Sequence, residues 1–359
     1  MQSVTPHTIG IIADDLTSAA DGAAPFIRQG WCAQIGRGRL PALAARENGR
    51  ILAVDTGSRS LPVSQAAARV GAITTRLADC DILYKTVDST LRGHVKAELA
   101  AAFHAGRRRM LVFAPAFPAA GRITVDGIQQ VDGIPVADSL YGHDPVHPAR
   151  YSALADLVPD TIRQVAMLDA STQEALDTRI AAFPEPESIL WAGSPGMAIA
   201  LARRLTPVPY PATPPPGAEG DILVVIGTAN PRSHTQAGQL NATNGVILLR
   251  APDARQDNPA PILRQLARRA AQTVHNNHIG ALIATGGDTM EAILDQLAIH
   301  NFEVLHELEP GFPLGRALLE DGRSLLIAMK AGGFGDENTL KRAVALLHSP
   351  TSYAEQMIQ

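Results

Sequence analysis

The chain alternates between short apolar runs and longer segments that are compatible with helices. In the first half the apolar runs are His7–Ala13, Ile51–Val54, Ile82–Tyr84, Met110–Ala114 and Ser188–Ala192. Short continuous runs of this kind are typical of strands that are buried on both faces of a parallel sheet. The first half of the chain therefore predicts a series of βα units.

A proline-rich segment interrupts this alternation. Residues 206–217 contain six prolines, which exclude both a helix and a central strand and favour an extended connector. Apolar runs then resume at Ile222–Ile226, Val246–Leu249, Ala281–Ala284 and Leu325–Ala328. We predict two α/β domains, each a largely parallel sheet flanked by helices, over residues 1–205 and 221–359. Residues 206–220 are predicted to link them.

Composition and charge narrow the classes of protein that fit. Hydrophobic residues make up 46% of the chain and charged residues 18%, which excludes a disordered protein. The net charge is −4, and the chain has no block of basic residues that would predict nucleic-acid binding. It also has no run of about 18 apolar residues that would predict a membrane span. Cys32 and Cys80 lack metal-site spacing, and the N-terminus lacks the pattern of a secretion signal. We expect a cytoplasmic protein.

Charged and hydroxyl side chains follow three of the predicted strands in the first half. They are Asp14, Asp15, Arg59, Lys85, Asp88, Ser89 and Arg92. The carboxyl ends of parallel strands form the edge at which open α/β sheets bind ligands, so we expect these side chains to lie together. Three cations at one edge favour a small organic acid as ligand, and helix N–H groups near Ser89 would add affinity for an anion.

The carboxylates allow more than one interpretation. Asp14 or Asp15 could cap the helix predicted behind them, or could serve as a general base or an indirect magnesium contact. Likewise, Lys85, Asp88 and Arg92 could form a surface ion-pair cluster, with Asp88 or Ser89 as a helix cap. A carboxylate at a strand end suits a base that accepts a hydroxyl proton, so we rank Asp15 first and Asp88 second.

Two further segments carry candidate chemistry. Residues 114–136 are rich in proline and glycine and predict a fixed loop, in which Arg122 is a candidate second contact for a carboxylate or phosphate. His143, Asp144 and His147 are close in sequence, but the neighbouring prolines exclude a helical metal-binding face. We predict no protein metal site.

Glycine-containing turns follow three predicted strands in the second half. Candidate ligand contacts in these turns are Asn230, Gly286, Gly287, Asp288, Thr289, Gly332 and Gly333. A single such turn is explained by tight βα geometry, but three followed by helices favour a phosphorylated ligand bound by backbone N–H groups. The patterns of a P-loop, a dinucleotide fingerprint, a zinc protease and a nucleophile elbow are absent from the sequence.

Five segments together resemble the four-carbon acid sugar kinases. They are Ile12–Asp21, Lys85–Gly93, Ala114–Pro118, Gly286–Thr289 and Lys330–Gly335. Members of that family have an N-terminal acid-sugar-binding α/β domain and a C-terminal ATP-binding domain. They phosphorylate the terminal hydroxyl of tetronates such as erythronate, threonate or 3-oxo-tetronate.

The resemblance implies an ATP-dependent kinase with its active site in the cleft between the two domains. The charged residues of the first half would contact the acid sugar, and the glycine turns would contact ATP, with Mg²⁺ arriving on the nucleotide. The chain departs from the family pattern at Asn230, where a serine is usual, and at Asn338, where aspartate is frequent. It is also shorter than typical members.

Two other functions stay open at this point. One is a non-catalytic sensor that binds an acid sugar and a nucleotide, and the other is a nucleotide-dependent oxidoreductase of a small hydroxy acid. The sequence leaves the oligomeric state and the preferred tetronate undetermined.

Overall fold

The computed structural model describes residues 8–41, 49–144, 146–205, 215–240, 243–252 and 258–349. The chain divides into two compact units, Met1–Tyr210 and Pro211–Gln359. Residues 206–214, which make up most of the predicted connector, lie outside the described residues. Among the described helices, none is long and apolar enough to cross a membrane.

The first unit contains a seven-stranded, entirely parallel sheet with the strand order β2-β3-β1-β4-β10-β5-β9. Its elements are β1 (Thr8–Ala13), α1 (Leu16–Ile27), β2 (Cys32–Arg37), β3 (Arg50–Asp55), α2 (Val63–Leu77), β4 (Ile82–Thr86), α3 (Val95–Gly106), β5 (Met110–Ala114), β6 (Arg122–Val125), β7 (Ile128–Val131), β8 (Ile134–Pro135), α4 (Leu154–Leu157), β9 (Val165–Met167), α5 (Gln173–Ala181), β10 (Ile189–Gly193) and α6 (Pro195–Arg204). Strands β6, β7 and β8 form a separate antiparallel sheet.

The second unit contains a mixed sheet with the strand order β12-β11-β13-β16-β15-β14. Its elements are β11 (Asp221–Ile226), α7 (Pro231–Gly238), β12 (Val246–Arg250), α8 (Ala260–Asn276), β13 (Ile279–Thr285), α9 (Gly287–Gln296), β14 (Asn301–Glu309), β15 (Phe312–Leu318), β16 (Ser324–Lys330) and α10 (Thr339–His348). Strands β12, β11, β13 and β16 are parallel, whereas β15 and β14 continue the sheet antiparallel.

Each unit has its own apolar core, because its central strands are apolar on both faces and its helices turn one apolar stripe toward the sheet. In the first unit, Val70 and Leu77 of α2 pack with Leu99 of α3 against Leu83 of β4. In the second unit, Val224 and Ile283 of the central strands pack with helical residues such as Leu340 and Leu347 of α10.

All nine apolar runs form strands, as predicted, and the α/β fold class is confirmed. The prediction of a loop over residues 114–136 was wrong in one respect, since this segment contains the antiparallel sheet β6–β8. Cys80 is a buried free thiol, and Cys32 is half-buried.

Candidate active site

Three neighbouring strands of the first unit bring the charged motifs to one edge of the sheet. Strands β3 and β4 flank β1, with Ala13 paired to Asp55 and Ile12 paired to Lys85. The segments that leave the ends of β1 and β3 therefore meet beside the end of β4. Asp14, Asp15, Arg59 and Lys85 are brought together by this strand order.

Arg59 joins the two adjacent carboxylates that follow β1. Its Nε lies 2.7 Å from Asp14 Oδ2 and its Nη2 lies 3.0 Å from Asp14 Oδ1, so this contact is bidentate. Its Nη1 forms an ion pair with Asp15. One guanidinium thus connects the β3–α2 segment to both carboxylates of the β1–α1 segment.

The two carboxylates differ in pKa direction. Burial raises the pKa of Asp15 and the neighbouring Asp14 adds to this, so that Arg59 only partly offsets the rise. Burial also favours the protonated form of Asp14, but Arg59 and Lys85 outweigh it and hold the pKa of Asp14 below its usual value. Asp15 Oδ1 also accepts a 2.7 Å hydrogen bond from Ser18 N and caps α1, as one of the interpretations predicted.

Lys85 belongs to a buried polar network rather than to a surface cluster. Its Nζ lies 2.8 Å from Glu98 Oε2, and both side chains are almost fully buried. Ser58 donates a 2.6 Å hydrogen bond to Glu98 Oε1, and Thr56 donates a 2.6 Å hydrogen bond to the carbonyl of Ala13. Thr56 and Ser58 hydroxyls are 2.9 Å apart, so the network reaches from β1 to α3.

Asp88 and Arg92 form the other ion pair at this edge. Arg92 Nε donates to Asp88 Oδ2 at 2.5 Å, and Thr90 donates to the same oxygen at 2.6 Å. Burial favours protonated Asp88, but Arg92 and Arg59 together hold its pKa well below the usual value. The Arg92 guanidinium lies 5.6 Å from the ring centre of Tyr141, a cation–π distance.

Arg122 contacts the same tyrosine as Arg92. Its guanidinium lies 5.8 Å from the Tyr141 ring centre, and its Nη2 donates to the Tyr141 hydroxyl at 2.9 Å. The small sheet that carries Arg122 therefore contributes to the surroundings of Arg92.

The surroundings of Ser89 differ from the prediction. The structure has no helix at this residue: a turn follows β4, Leu91 has a positive φ of 58°, and α3 begins only at Val95. Helix N–H groups are therefore not available beside Ser89, which is buried and whose carbonyl accepts a 2.8 Å hydrogen bond from Gln129.

A pocket opens among these side chains. The ionisable residues that line it are Asp14, Lys85, Asp88, Arg92, His94 and Glu98. Each of the three cations at this edge, Arg59, Lys85 and Arg92, is already paired with a carboxylate of the protein. An acid ligand would thus share or exchange these partners rather than meet unpaired cations.

Glu98 and His94 were missed by the sequence analysis. Glu98 lies in α3, away from the strand-end motifs, and its only signal is an acidic residue between the buried positions Val95 and Leu99. The ring Nε2 of His94 lies 2.6 Å from the carbonyl oxygen of Leu61, which ties the start of α3 to the segment after β3.

The segment around His143 shows no metal site. Within the described part of the chain, no group of three or more His, Cys, Asp or Glu residues could hold a metal ion. The Asp144 carboxylate instead accepts the N–H groups of Val146 and His147, both at 2.9 Å.

In the second unit, the three glycine turns lie at the ends of the adjacent strands β11, β13 and β16. They approach so closely that a Cβ atom on Gly227 would lie 1.9 Å from Thr289 Oγ1, and one on Gly332 would lie 2.7 Å from Thr228 Oγ1. Glycine is required at these positions because any side chain would push the turns apart. The first turn thus lies against both of the others.

The helices behind these turns begin as follows. Asn230 caps α7, because its Oδ1 accepts a 3.0 Å hydrogen bond from Arg232 N. Gly286 occupies the N-cap position of α9. Asp288 is exposed in the first turn of α9, whereas Thr289 is buried.

Helix α7 also holds the carbonyl groups of the third glycine turn. Arg232 donates to the carbonyl of Gly333 at 3.0 Å, Ser233 to that of Gly332 at 2.9 Å, and Gln236 to that of Phe334 at 3.0 Å. Buried Lys330 donates to the carbonyl of Ala331 at 3.0 Å, and burial, together with the nearby Arg232, lowers its pKa to about 8. The turn is therefore fixed from one side.

Comparisons with known proteins match both units. Residues 9–183 match a family model described as a sugar-binding N-terminal domain, and residues 250–340 match one described as a nucleotide-binding C-terminal domain. The D-threonate kinase of Bordetella bronchiseptica is 32% identical over 392 residues, covering 93% of this chain and 96% of that protein. The chain belongs to the four-carbon acid sugar kinase family.

Other relatives of this family member have lower identity. The D-erythronate kinase of Heliobacterium modesticaldum is 24% identical, covering 91% of this chain and 94% of that protein. The 3-oxo-tetronate kinase of Brucella melitensis is 22% identical, covering 92% of this chain and 93% of that protein. A solved structure from Salmonella typhimurium LT2 has the same fold, with a TM-score of 0.77 at 20% identity, covering 94% of this chain and 98% of that one.

Proposed function

We propose that this protein is an ATP-dependent kinase that phosphorylates the terminal hydroxyl of a four-carbon sugar acid. The observation that carries the proposal is the cluster in which Arg59 bridges Asp14 and Asp15 beside the pocket. This cluster supplies both a carboxylate that can accept a hydroxyl proton and the cations that an acid substrate needs. Relatives that are named tetronate kinases support the same reaction.

Asp15 is our first candidate for the general base, and Asp88 is the second. A base works best when its pKa is near the working pH, and burial raises the pKa of Asp15 towards that range. The pKa of Asp88 is lowered, and its Oδ2 already accepts hydrogen bonds from Arg92 and Thr90. Asp88 is thus better suited to hold Arg92 in place than to take a proton.

The acid substrate is proposed to contact Asp14, Arg59, Lys85, Ser89 and Arg92. A guanidinium binds a carboxylate through two parallel hydrogen bonds, and an ammonium adds a directed point charge. Since Arg59 and Arg92 are each paired in the protein, substrate binding would exchange their hydrogen bonds between carboxylates.

The glycine turns of the second unit are proposed to bind ATP. Their proposed contacts are Asn230, Gly286, Gly287, Asp288, Thr289, Gly332 and Gly333. ATP, bound together with Mg²⁺, supplies the phosphoryl group that is transferred. The described residues contain no cluster of metal ligands. The proposed Mg²⁺ would be held mainly by the phosphate oxygens of ATP and by water.

D-Threonate is our first candidate substrate. The three relatives named D-threonate kinase are 32%, 31% and 27% identical to this chain, whereas the relative named D-erythronate kinase is 24% identical. Stereoisomers of one small acid differ only in the positions of hydroxyl groups, so pocket contacts must decide between them.

The test is ADP release with Mg·ATP and a panel of D- and L-threonate, D- and L-erythronate and 3-oxo-tetronate. We expect turnover with D-threonate, and expect the exposed-site control Asp160→Asn to match wild type. Binding of acid and nucleotide without ADP release would instead support a sensor. Oxidation of the acid with NAD(P)⁺ would support an oxidoreductase.

A further inference from the structure

The ion pair between Lys85 and Glu98 is the most deeply buried pair at the pocket. The two side chains are 2% and 3% exposed, and their charged atoms are 2.8 Å apart. Removing two charges from water costs several kcal/mol per ion, which apolar residues of similar size would avoid. Stability alone therefore does not explain why such a pair is present in the wall of the pocket.

The pair is held by contacts from several elements. Lys85 lies in β4 and Glu98 in α3, while Ser58, which follows β3, donates to the second oxygen of the Glu98 carboxylate at 2.6 Å. Each Glu98 oxygen thus has a donor, so the carboxylate is fixed in orientation as well as in position. Neutralising Lys85 would need only one of these contacts, so the second contact, from Ser58, serves to orient the Glu98 carboxylate.

The Lys85 ammonium is constrained in turn. Its Nζ contacts Glu98 Oε2 at 2.8 Å and donates to the carbonyl of Thr86 at 2.7 Å. An ammonium has three N–H donors, so these contacts leave one donor for a ligand. Lys85 lines the same pocket as Asp14 and Arg92, the expected surroundings of the substrate carboxylate.

We propose that Glu98 is a positioning residue that orients the Lys85 ammonium so that its remaining donor contacts the carboxylate of the bound sugar acid. This inference rests on the proposed function for the identity of the ligand. Glu98 itself need not touch the substrate, because it acts through Lys85. A purely structural role would instead stabilise the fold without affecting recognition of the acid.

The test compares Glu98→Gln, Lys85→Met and the double variant with wild type. Glu98→Gln keeps the shape of the side chain and removes its charge. We expect kcat/KM for D-threonate to fall about tenfold or more, mainly through KM for the acid, while KM for ATP stays unchanged. On the Lys85→Met background, Glu98→Gln should cause little further loss, since the two residues act as one unit.

The difference between KM for the acid and KM for ATP is a readout that a purely structural role would not give, because a loss of stability would affect both substrates alike. Glu98→Asp should recover part of the loss because it restores the charge. Lys96→Met, which breaks the exposed ion pair between Lys96 of α3 and Asp160, is the matched control and should behave as wild type.

Additive losses, or a Glu98→Gln enzyme with wild-type kcat/KM, would overturn the proposal. If Glu98→Gln does not fold, Ser58→Ala removes one hydrogen bond to Glu98 and should weaken acid recognition in the same direction. Calorimetric titration of D-threonate separates this inference from the kinase proposal, because weaker binding by Glu98→Gln is measurable without turnover. A wild-type protein that binds none of the acids would overturn both.

Discussion

At the residue scale, Asp14 and Asp15 show how one arginine can stabilise two carboxylates unequally. Both are buried and both contact Arg59, but Lys85 also lowers the pKa of Asp14, whereas Asp14 itself raises that of Asp15. Two carboxylates that share one cation seldom ionise alike, and their separation in pKa suggests separate roles. Asp14 is the residue suited to stay ionised, and Asp15 the residue suited to exchange a proton.

This difference predicts an acid limb in the rate profile. Asp15 must lose its proton to act as a base, so kcat/KM should rise with pH through a pKa above the usual range for aspartate. Asp15→Asn should lower kcat by about 10²-fold or more and remove this limb. Asp88→Asn should leave the limb in place and mainly raise KM for the acid, through the loss of the partner of Arg92.

The measurement is kcat/KM between pH 4 and 8 for both variants, with circular dichroism to verify folding. If Asp88→Asn lost the acid limb and Asp15→Asn kept it, the two assignments would have to be reversed.

The sequence allowed the strand-end candidates to be predicted, but not their pairing. Asp14, Arg59 and Lys85 could be proposed because parallel strands must end at a common edge. That Arg59 bridges two aspartates, and that Lys85 is buried against Glu98, depends on side-chain contacts between elements distant in sequence. Local patterns do not encode such contacts.

At the element scale, no apolar run predicted β14 or the small sheet β6–β8, and the physical reason differs between them. The central parallel strands are apolar on both faces and read as continuous runs, whereas β14 alternates between buried and more exposed positions along most of its length. The antiparallel strands β6, β7 and β8 are short, but Asp126-Gly127 and Asp132-Gly133 connect them with positive φ at all four residues. Asp-Gly pairs of this kind favour tight hairpins and could have indicated this sheet.

The contact between glycine turns leads to a prediction about nucleotide binding. Gly332→Ala would place a Cβ 2.7 Å from Thr228 Oγ1 and force the first and third turns apart. We expect the Kd for ATP to rise about tenfold, while D-threonate binding stays unchanged, because the proposed acid contacts lie in the other unit.

The matched control is Gly238→Ala in α7, where a Cβ would meet no atom within 4 Å. Both affinities should be measured by calorimetry. Equal ATP affinity in the two variants would show that the spacing of these turns does not matter for nucleotide binding.

At the scale of the whole molecule, the two units have separate cores and are assigned separate ligands. A ligand that binds only the native state stabilises it by about 2.7 kcal/mol at one hundred times its Kd. In differential scanning calorimetry, D-threonate should raise the unfolding transition of the first unit, and Mg·ATP that of the second.

Two variants assign each unfolding transition to one of the units. Arg59→Ala should abolish the shift caused by D-threonate and keep the one caused by ATP, whereas Gly332→Ala should reduce the shift caused by ATP and keep the one caused by D-threonate. Loss of both shifts in either variant would contradict a division of the two ligands between the units.

The pairing of every cation at the pocket edge also bears on how ionic conditions affect the enzyme. The edge has four carboxylates, Asp14, Asp15, Asp88 and Glu98, against the three cations Arg59, Lys85 and Arg92, so it presents no surplus of positive charge to the surrounding solution. Long-range attraction of an anion, which salt screens, contributes little to such a site. We therefore expect capture of a sugar acid at this edge to depend on short-range exchange of partners and to vary little with ionic strength.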